Sequence, residues 1–278
     1  MEEKHAMVNG FKIRYLEEGS SDQNLILLHG LGGYAERWRN SIPYLSKKYH
    51  VFAPDLIGYG QSDKPSFDYT LDLFTKYTFG FIDAIGLEKT NMIGTSLGGQ
   101  IVVDCAAAQN PIIEKIVLIS PAGAMRKSTP TLDAYTMAAL YPSRETVKTA
   151  YQMMMGDNKQ VSEDSIENFI QNMSRPNAKM AFLSTLLGLK NAPDISEHLK
   201  KIKNPTLIIW GKEDTLIPIE YAQQFVSEIS NCQFVTMEQC GHSPHVEEPQ
   251  KLSDVVIKFL SGPSTNNKIS YENHSQCK

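Results

Sequence analysis

A serine lies between two glycines where a strand-like run gives way to a helix-like run. The stretch 91–103 reads as an apolar strand, then Gly94-Thr95-Ser96-Leu97-Gly98, then a helix pattern. A serine at such a corner has a strained backbone, and glycines two residues away on either side let the strand and the helix approach closely. The strain lifts the hydroxyl clear of the sheet, and the helix turns its N-terminus toward the reacting atoms. The motif predicts a nucleophile elbow with Ser96 at its apex.

Apolar runs alternate with helix-length segments on both sides of this motif. The turn residues Asn9-Gly10 between Lys4–Val8 and Phe11–Glu17 indicate a hairpin. Six further runs have the apolar character of strands buried in a parallel sheet. They are Leu25–Leu28, His50–Pro54, Thr90–Ile93, Lys115–Ile119, Thr206–Trp210 and Cys232–Met237. Because segments such as Leu71–Ile85 and Gln100–Gln109 separate most of them, we predict an α/β fold with a mostly parallel, eight-stranded sheet covered by helices.

The interval 124–199 breaks this alternation, because it contains no convincing buried strand. Helical segments fill it, and prolines and a glycine separate them. These segments are Thr131–Leu140, Arg144–Met155, Ser162–Asn172 and Ala178–Leu187. We expect a helical lid over 124–199, inserted into a core made of residues 1–123 and 200–261. Residues 262–278 are polar, and we expect them to form a disordered tail.

Two later strands lead into residues that complement a serine nucleophile. Thr206–Trp210 is followed by Glu213 and Asp214, and the last apolar run is followed by a loop with His242 and His245. A serine hydroxyl needs a base to remove its proton, and an imidazole base needs a carboxylate to fix its tautomer. We expect His242 rather than His245 to be the base. Residue type alone leaves Glu213 and Asp214 as alternative acids.

Charge and composition argue against several other classes of protein. The formal net charge is -4, and no basic cluster suggests a nucleic-acid partner. The charged N-terminus lacks a signal-peptide pattern, and no apolar run is long enough to cross a membrane. Four scattered cysteines (Cys105, Cys232, Cys240 and Cys277) favour neither a disulfide framework nor a zinc site. We expect a cytoplasmic monomer or homodimer with reduced thiols and no membrane partner.

Five ordered segments resemble the α/β-hydrolase superfamily across roughly residues 5–260. They are His29–Gly33, Pro54–Asp63, the elbow, Trp210–Asp214 and Gly241–Pro249. The chain order of serine, acid and histidine is also that of this superfamily. The resemblance implies that Asp214 is the acid. The corner where some relatives carry the acid instead, Ser120–Gly123, has no carboxylate here.

The resemblance also implies an oxyanion hole. The segment His29-Gly30-Leu31-Gly32-Gly33 stands where the second donor arises in this superfamily, so we expect the backbone N–H groups of Leu31 and Leu97 to act together. The alternative interpretation of this segment is a glycine-bearing turn from strand to helix, with His29 holding the loop. In Pro54–Asp63 we expect a structural turn at Gly58 and Gly60, in which Asp55 hydrogen-bonds to the backbone.

Within the superfamily, the chain is most similar to bacterial carboxylesterases and to meta-cleavage-product (carbon–carbon) hydrolases. Haloalkane dehalogenases and epoxide hydrolases carry Asp where Ser96 stands, so the resemblance does not extend to their chemistry. Meta-cleavage hydrolases commonly carry Trp directly after the catalytic histidine. Ser243 occupies that position here, and this departure counts against carbon–carbon bond chemistry.

These features predict a serine hydrolase that cleaves small-to-medium, largely apolar carboxylic esters without a metal or cofactor. Two alternatives stay open: a carbon–carbon hydrolase of a vinylogous 1,5-diketone, and a non-catalytic ligand receptor on the same scaffold. Seven of the eleven methionines lie in the predicted lid, where they either line an adaptable pocket or pack the lid onto the core. The candidate substrate-binding residues are Gly32, Met125, Met137, Met154 and Ser243.

Overall fold

A single sheet forms the centre of the protein. The computed structural model describes residues 1–157, 159–263 and, for the backbone alone, 270–271. Within these ranges the strands are β1 (Glu2–Val8), β2 (Phe11–Glu18), β3 (Asn24–Leu28), β4 (His50–Pro54), β5 (Thr90–Thr95), β6 (Ile113–Ile119), β7 (Thr206–Gly211), β8 (Cys232–Met237) and β9 (Ser270–Tyr271). Their order across the sheet is β1-β2-β4-β3-β5-β6-β7-β8-β9.

The strands pair in parallel except at one edge. β1 and β2 form an antiparallel hairpin around Asn9 and Gly10, and β2 also pairs antiparallel with β4. β3 to β8 are parallel, so the loops that follow them meet along one edge of the sheet. The predicted sheet of eight mostly parallel strands is therefore confirmed, with β9 as a two-residue addition beside β8. Most of the tail expected to be disordered lies outside the described residues.

Helices cover both faces of the sheet. They are α1 (Ile42–Leu45), α2 (Leu71–Ala84), α3 (Leu97–Ala107), α4 (Pro130–Leu140), α5 (Arg144–Met154), α6 (Glu163–Met173), α7 (Ala178–Asn191), α8 (Ser196–Lys201), α9 (Ala222–Glu228), α10 (Pro244–Glu247) and α11 (Pro249–Ser261). Neighbouring helices α2, α3, α8 and α9 pack in one layer, and α1 and α10 pack against α11. Two separate clusters of buried apolar side chains lie within the protein.

The interval between β6 and β7 is helical, as predicted from the absence of a strand pattern. Its helices begin at residues that cap them: the hydroxyls of Thr129, Ser143 and Ser162 accept hydrogen bonds from the first turns of α4, α5 and α6. Aromatic rings from different helices meet in its interior, where Tyr135 lies 5.5 Å from Phe169 and 5.9 Å from Phe182, measured between ring centres. We call residues 124–199 the helical insertion.

The last long helix of the insertion ends later than predicted. The sequence pattern indicated an end at Leu187, but α7 continues to Asn191. Gly188 lies against the adjoining loop, where a Cβ would come within 2.6 Å of the carbonyl oxygen of Tyr69. The glycine therefore allows close packing within the helix rather than ending it.

A buried carboxylate holds the turn after β4. The buried Asp55 accepts hydrogen bonds from the backbone N–H groups of Ala35 and Gln61 at 2.6 and 2.7 Å. Gly60 has a positive φ of 51°, and a Cβ there would clash with the Asp55 carboxyl group. Burial raises the pKa of Asp55 to about 6, although Arg14 opposes the shift. The structural role expected for this segment is thus confirmed.

Candidate active site

Ser96 lies between β5 and α3 in a strained conformation. Its φ and ψ are 53° and -119°, a region that residues other than glycine rarely adopt. Its N–H donates to the carbonyl of Ile119, and its own carbonyl accepts from Gln100 and Ala122. These bonds hold the strained corner. They place Ser96 at the carboxyl end of the sheet and at the N-terminus of α3.

The two glycines of the motif are required by contact distances. A Cβ on Gly94 would lie 2.1 Å from the carbonyl oxygen of Gly98, and a Cβ on Gly98 would lie 2.3 Å from that of Leu28. No side chain fits at such distances, so strand and helix approach as closely as the sequence pattern predicted.

Asp214 and His242 form a buried hydrogen-bonded pair. The Nδ1 atom of His242 lies 2.8 Å from Oδ2 of Asp214. The other carboxylate oxygen, Oδ1, accepts from the N–H groups of Leu216 and Ile217 at 3.0 and 2.9 Å. Because a carboxylate only accepts, Nδ1 of His242 carries the hydrogen and Nε2 is left with a lone pair. That is the tautomer a general base requires.

Ser96 and His242 line the same cavity. No described side chain forms a hydrogen bond with the Oγ atom of Ser96, so its hydroxyl faces the cavity without a fixed partner. Hydrogen bonds between a nucleophile and its base are often long in the absence of substrate and shorten when substrate binds. The arrangement places a serine hydroxyl, an imidazole and the carboxylate that orients the imidazole at one edge of the sheet.

The rival acid and the rival base have other roles. Glu213 accepts a hydrogen bond from the N–H of Asp157 in the helical insertion. His245 is buried with its ring centre 4.4 Å from that of Trp38. Burial, together with the positive charge of Arg37, lowers the pKa of His245 well below its usual value. It is therefore Asp214, and not Glu213, that the structure brings to His242.

The loop after β3 is held from both sides. Nδ1–H of His29 donates to the carbonyl of Gly30 at 2.8 Å, and Nε2 accepts from the N–H of Leu56 at 3.0 Å. From the helical insertion, the hydroxyl of Tyr135 donates to the carbonyl of Leu31 at 2.8 Å. Neither Leu31 nor Leu97 donates its N–H to another described residue. Leu31 lines the cavity, whereas Leu97 is fully buried in the first turn of α3.

The burial of His29 predicts a pH dependence of stability. Burial lowers the pKa of His29 to about 4, against the effect of its hydrogen bond to Gly30. The unfolded chain has a reference pKa of about 6.5 and binds more protons between these values. The contribution of His29 to the free energy of unfolding should therefore fall by about 3 kcal/mol as the pH drops from about 6.5 to about 4.

Urea unfolding of wild type and His29→Asn over this pH range measures the effect. The substitution should make the dependence shallower by the contribution of His29, because that titrating group is gone. The exposed His5 provides a control, since His5→Asn should keep the wild-type slope. Equal slopes for His29→Asn and wild type would contradict the prediction.

The cavity has a volume of about 530 Å³ and lies between the sheet edge and the helical insertion. Of the candidate pocket residues, Met125, Met154 and Ser243 line it, and Gly32 and Met137 do not. Met137 is 53% exposed, because its neighbours Ala138 and Ala139 occupy the buried face of α4. At Gly32 the Tyr135 hydroxyl occupies the space that a Cβ would need. The expectation that these two residues line the pocket is wrong.

Sequence reasoning missed residues that connect distant segments to the site. The carboxylate of Glu247 accepts hydrogen bonds from the N–H groups of Gly156, Gly241 and Ser243. It therefore ties the helical insertion to the loop that carries His242. His242 itself donates its N–H to the carbonyl of Met154 at 2.7 Å. The only sequence signal was that Glu247 lies inside the motif Gly241–Pro249.

Two of the cysteines in the described part of the chain are poorly suited to act as nucleophiles. Burial raises the pKa of Cys240 to about 12 and that of Cys105 further, so neither thiol ionises readily. Cys277 lies outside the described residues.

No group of three or more metal-ligating side chains occurs among residues 1–157 and 159–263. In those same ranges, no helix combines the length and the apolar character needed to span a membrane.

Comparison with known proteins shows similarity over most of the chain. Residues 23–249 match the family model described as the alpha/beta hydrolase fold. A 2-hydroxy-6-oxo-6-(2'-aminophenyl)hexa-2,4-dienoic acid hydrolase of Metapseudomonas resinovorans is 27% identical, with 93% of this chain and 91% of the relative covered. A meta-cleavage product hydrolase from Pseudomonas fluorescens IP01 has a TM-score of 0.82 and 27% identity, covering 92% of this chain and 97% of its own.

A solved structure with a different description is equally similar. A putative lipase from Acinetobacter baumannii AYE has a TM-score of 0.83 at 27% identity, covering 93% of this chain and 90% of its own. Since proteins described by different activities are similar to the same degree, the type of substrate has to be argued from the site itself.

Proposed function

Because the chain belongs to the α/β-hydrolase family, we propose that it is a serine hydrolase that cleaves carboxylic esters through an acyl-enzyme on Ser96. The observation that carries the proposal is the buried Asp214–His242 pair, which shares one cavity with Ser96. That pair leaves Nε2 of His242 free to accept a proton. Ser96 supplies the hydroxyl, and the strain at this residue exposes it.

The proposed reaction has two symmetrical halves. Oγ of Ser96 attacks the ester carbonyl while Nε2 of His242 takes the hydroxyl proton, and the N–H groups of Leu31 and Leu97 stabilise the oxyanion. The tetrahedral intermediate collapses, and His242 returns the proton to the departing alcohol. Water then attacks the acyl-enzyme with the same base, which releases the acid and restores Ser96. Asp214 stays ionised throughout and stabilises the imidazolium.

The cavity supports a largely apolar substrate. Met125, Leu132, Met154 and Leu186 contribute apolar side chains to it, and about 530 Å³ is enough for a small or medium ester. We propose that the helical insertion acts as a lid over this substrate, since α4 and α5 supply part of the lining.

A second candidate is hydrolysis of a carbon–carbon bond. The relative from Metapseudomonas resinovorans is named as a hydrolase of a dienoic acid, and its similarity extends over 93% of this chain. The same nucleophile, base and oxyanion hole would serve that reaction. Ser243, at the position where the resemblance leads one to expect Trp, favours the ester instead.

A substrate panel tests both candidates on the same protein. Wild type is assayed with 4-nitrophenyl acetate and hexanoate and with 2-hydroxy-6-oxo-6-phenylhexa-2,4-dienoate, the compound named for other relatives. Ester turnover at least 100-fold above the uncatalysed rate, with little loss of dienoate absorbance, is the expected result. Efficient dienoate cleavage with weak ester turnover would replace the first candidate by the second. Labelling by a fluorophosphonate without multiple turnover of any substrate would favour a ligand receptor.

Substrate length should depend on the methionines that line the cavity. Truncation in Met125→Ala opens space for a longer acyl chain, so the ratio of kcat/KM for hexanoate over acetate should rise about tenfold. Met137→Ala is the matched control, because Met137 lies outside the cavity and is 53% exposed. Rates on 4-nitrophenyl esters of increasing length measure the effect. An unchanged profile for Met125→Ala would mean that this methionine only packs the helical insertion.

A further inference from the structure

Arg37 brings a positive charge into the cavity beside the base. It lies in a short 3₁₀ helix, Ala35–Trp38, after the loop that contains Leu31. Its Nη2 atom is 3.5 Å from Oγ of Ser243, the residue after His242. Its guanidinium carbon is 5.1 Å from the ring centre of Tyr151. The guanidinium therefore lies on the His242 side of the cavity, against an aromatic ring of the helical insertion.

No carboxylate forms an ion pair with Arg37 in the described part of the chain. A guanidinium has five N–H donors, and its single hydrogen bond, to Ser243, is long. The adjacent Glu36 turns to the other side and accepts from both terminal nitrogens of Arg14 at 3.0 and 2.5 Å. Glu247 is also occupied, because its oxygens accept from three backbone N–H groups. Arg37 thus keeps most of its hydrogen-bonding capacity for a ligand.

The mouth of the cavity is also positively charged. The exposed side chains of Arg126, Lys127 and Lys190 line it. Asp133 is the one carboxylate among the described lining residues, and Asp194, outside the lining, forms an ion pair with Arg126 at 3.9 Å, so the positive charges remain in excess. The chain as a whole has a formal net charge of -4. A cavity with excess positive charge on a negatively charged protein attracts anions selectively.

We propose that Arg37 determines specificity by binding a carboxylate of the substrate, so that the preferred esters are half-esters of dicarboxylic acids. The inference rests on the proposed ester hydrolysis and adds the charge of the substrate to it. The planar guanidinium matches a carboxylate with two parallel hydrogen bonds. A partly buried cation without a counter-charge is destabilising, and a bound carboxylate removes that penalty. The apolar part of the cavity holds the chain between the carboxylate and the ester.

Paired substrates test the proposal. The 4-nitrophenyl half-esters of adipic and suberic acid are each compared with the corresponding methyl ester, which has the same chain without the charge. We expect kcat/KM of wild type to favour the better half-ester by at least about tenfold. In Arg37→Met this ratio should fall by about 10- to 100-fold, the effect of losing a charge-assisted hydrogen bond. Arg39→Met is the matched control, because Arg39 is exposed and absent from the cavity lining, and it should keep the wild-type ratio.

Binding without turnover separates this site from the chemistry. Suberate and dimethyl suberate are titrated calorimetrically into Ser96→Ala and into Ser96→Ala/Arg37→Met. Suberate should bind the first variant, and its Kd should rise at least about tenfold in the second. If wild type cleaves no ester but suberate binding still depends on Arg37, the anion site stands and the ester proposal fails. If neutral and anionic esters are cleaved alike and suberate does not bind, the ester proposal stands and the anion site is overturned. Equal losses on both substrates in Arg37→Met would also overturn it.

Discussion

Replacement of Ser96 by alanine is expected to lower kcat for ester hydrolysis by roughly 10⁶-fold, as in enzymes with comparable triads. In the proposed mechanism this side chain supplies the oxygen that becomes acylated. Burial keeps Cys105 and Cys240 protonated. Alanine also tolerates the backbone of this position as well as serine does, since both carry a Cβ at the same φ of 53°. The loss should therefore appear in catalysis and not in folding.

Ser120 provides a matched control for this substitution. It follows β6, the neighbour of β5, is fully buried, and also has a positive φ, of 40°. Its Oγ has no hydrogen-bond partner in the described residues. Ser120→Ala should keep kcat within about threefold of wild type. The measurements are initial rates on a 4-nitrophenyl ester, fluorophosphonate labelling, and urea unfolding of both variants. Substantial activity in Ser96→Ala at wild-type stability would remove Ser96 from the mechanism.

The parts of the fold that could be predicted from the sequence are those that local patterns determine. Continuous apolar runs marked the parallel strands, because such strands are buried on both faces and leave no polar alternation. The motif around Ser96 marked the elbow, because only glycine fits where a Cβ would lie 2.1 Å from a carbonyl oxygen. In both cases the constraint leaves a pattern in a short stretch of residues, so one sequence is enough to reveal it.

Contacts between distant segments could not be predicted in the same way. Tyr135 bonds to the carbonyl of Leu31 from 104 positions away, and Arg37 meets Ser243 across 206 positions. Nothing in the sequence near Tyr135 distinguishes it from other tyrosines that pack a helix. For Met137 the sequence led to a wrong prediction. Its residue type suggested a place in the pocket, but the helical period of α4 turns it to solvent. Residue type indicates what a side chain can do, and the packing of the insertion decides where it lies.

Replacement of Asp214 by asparagine is expected to lower kcat by roughly 10⁴-fold, again by comparison with known triads. Oδ1 of Asp214 accepts from the N–H groups of Leu216 and Ile217, so the amide oxygen of asparagine should take that position. Its NH₂ group then faces Nδ1 of His242, which has to accept a hydrogen bond instead of donating one. The proton moves to Nε2, and the imidazole can no longer receive the proton of Ser96.

The neighbouring residue Glu213 provides the control for this prediction. Glu213 accepts from the N–H of Asp157, and the amide oxygen of glutamine can accept the same bond, so Glu213→Gln should change kcat by less than about threefold. Steady-state rates of both variants on one ester, with thermal unfolding as a check of folding, give the comparison. Because the two residues are neighbours in sequence and of the same charge, a general electrostatic effect would lower both rates alike. A larger loss in Glu213→Gln than in Asp214→Asn would mean that the histidine is oriented by a different acid from the one to which it is bonded here.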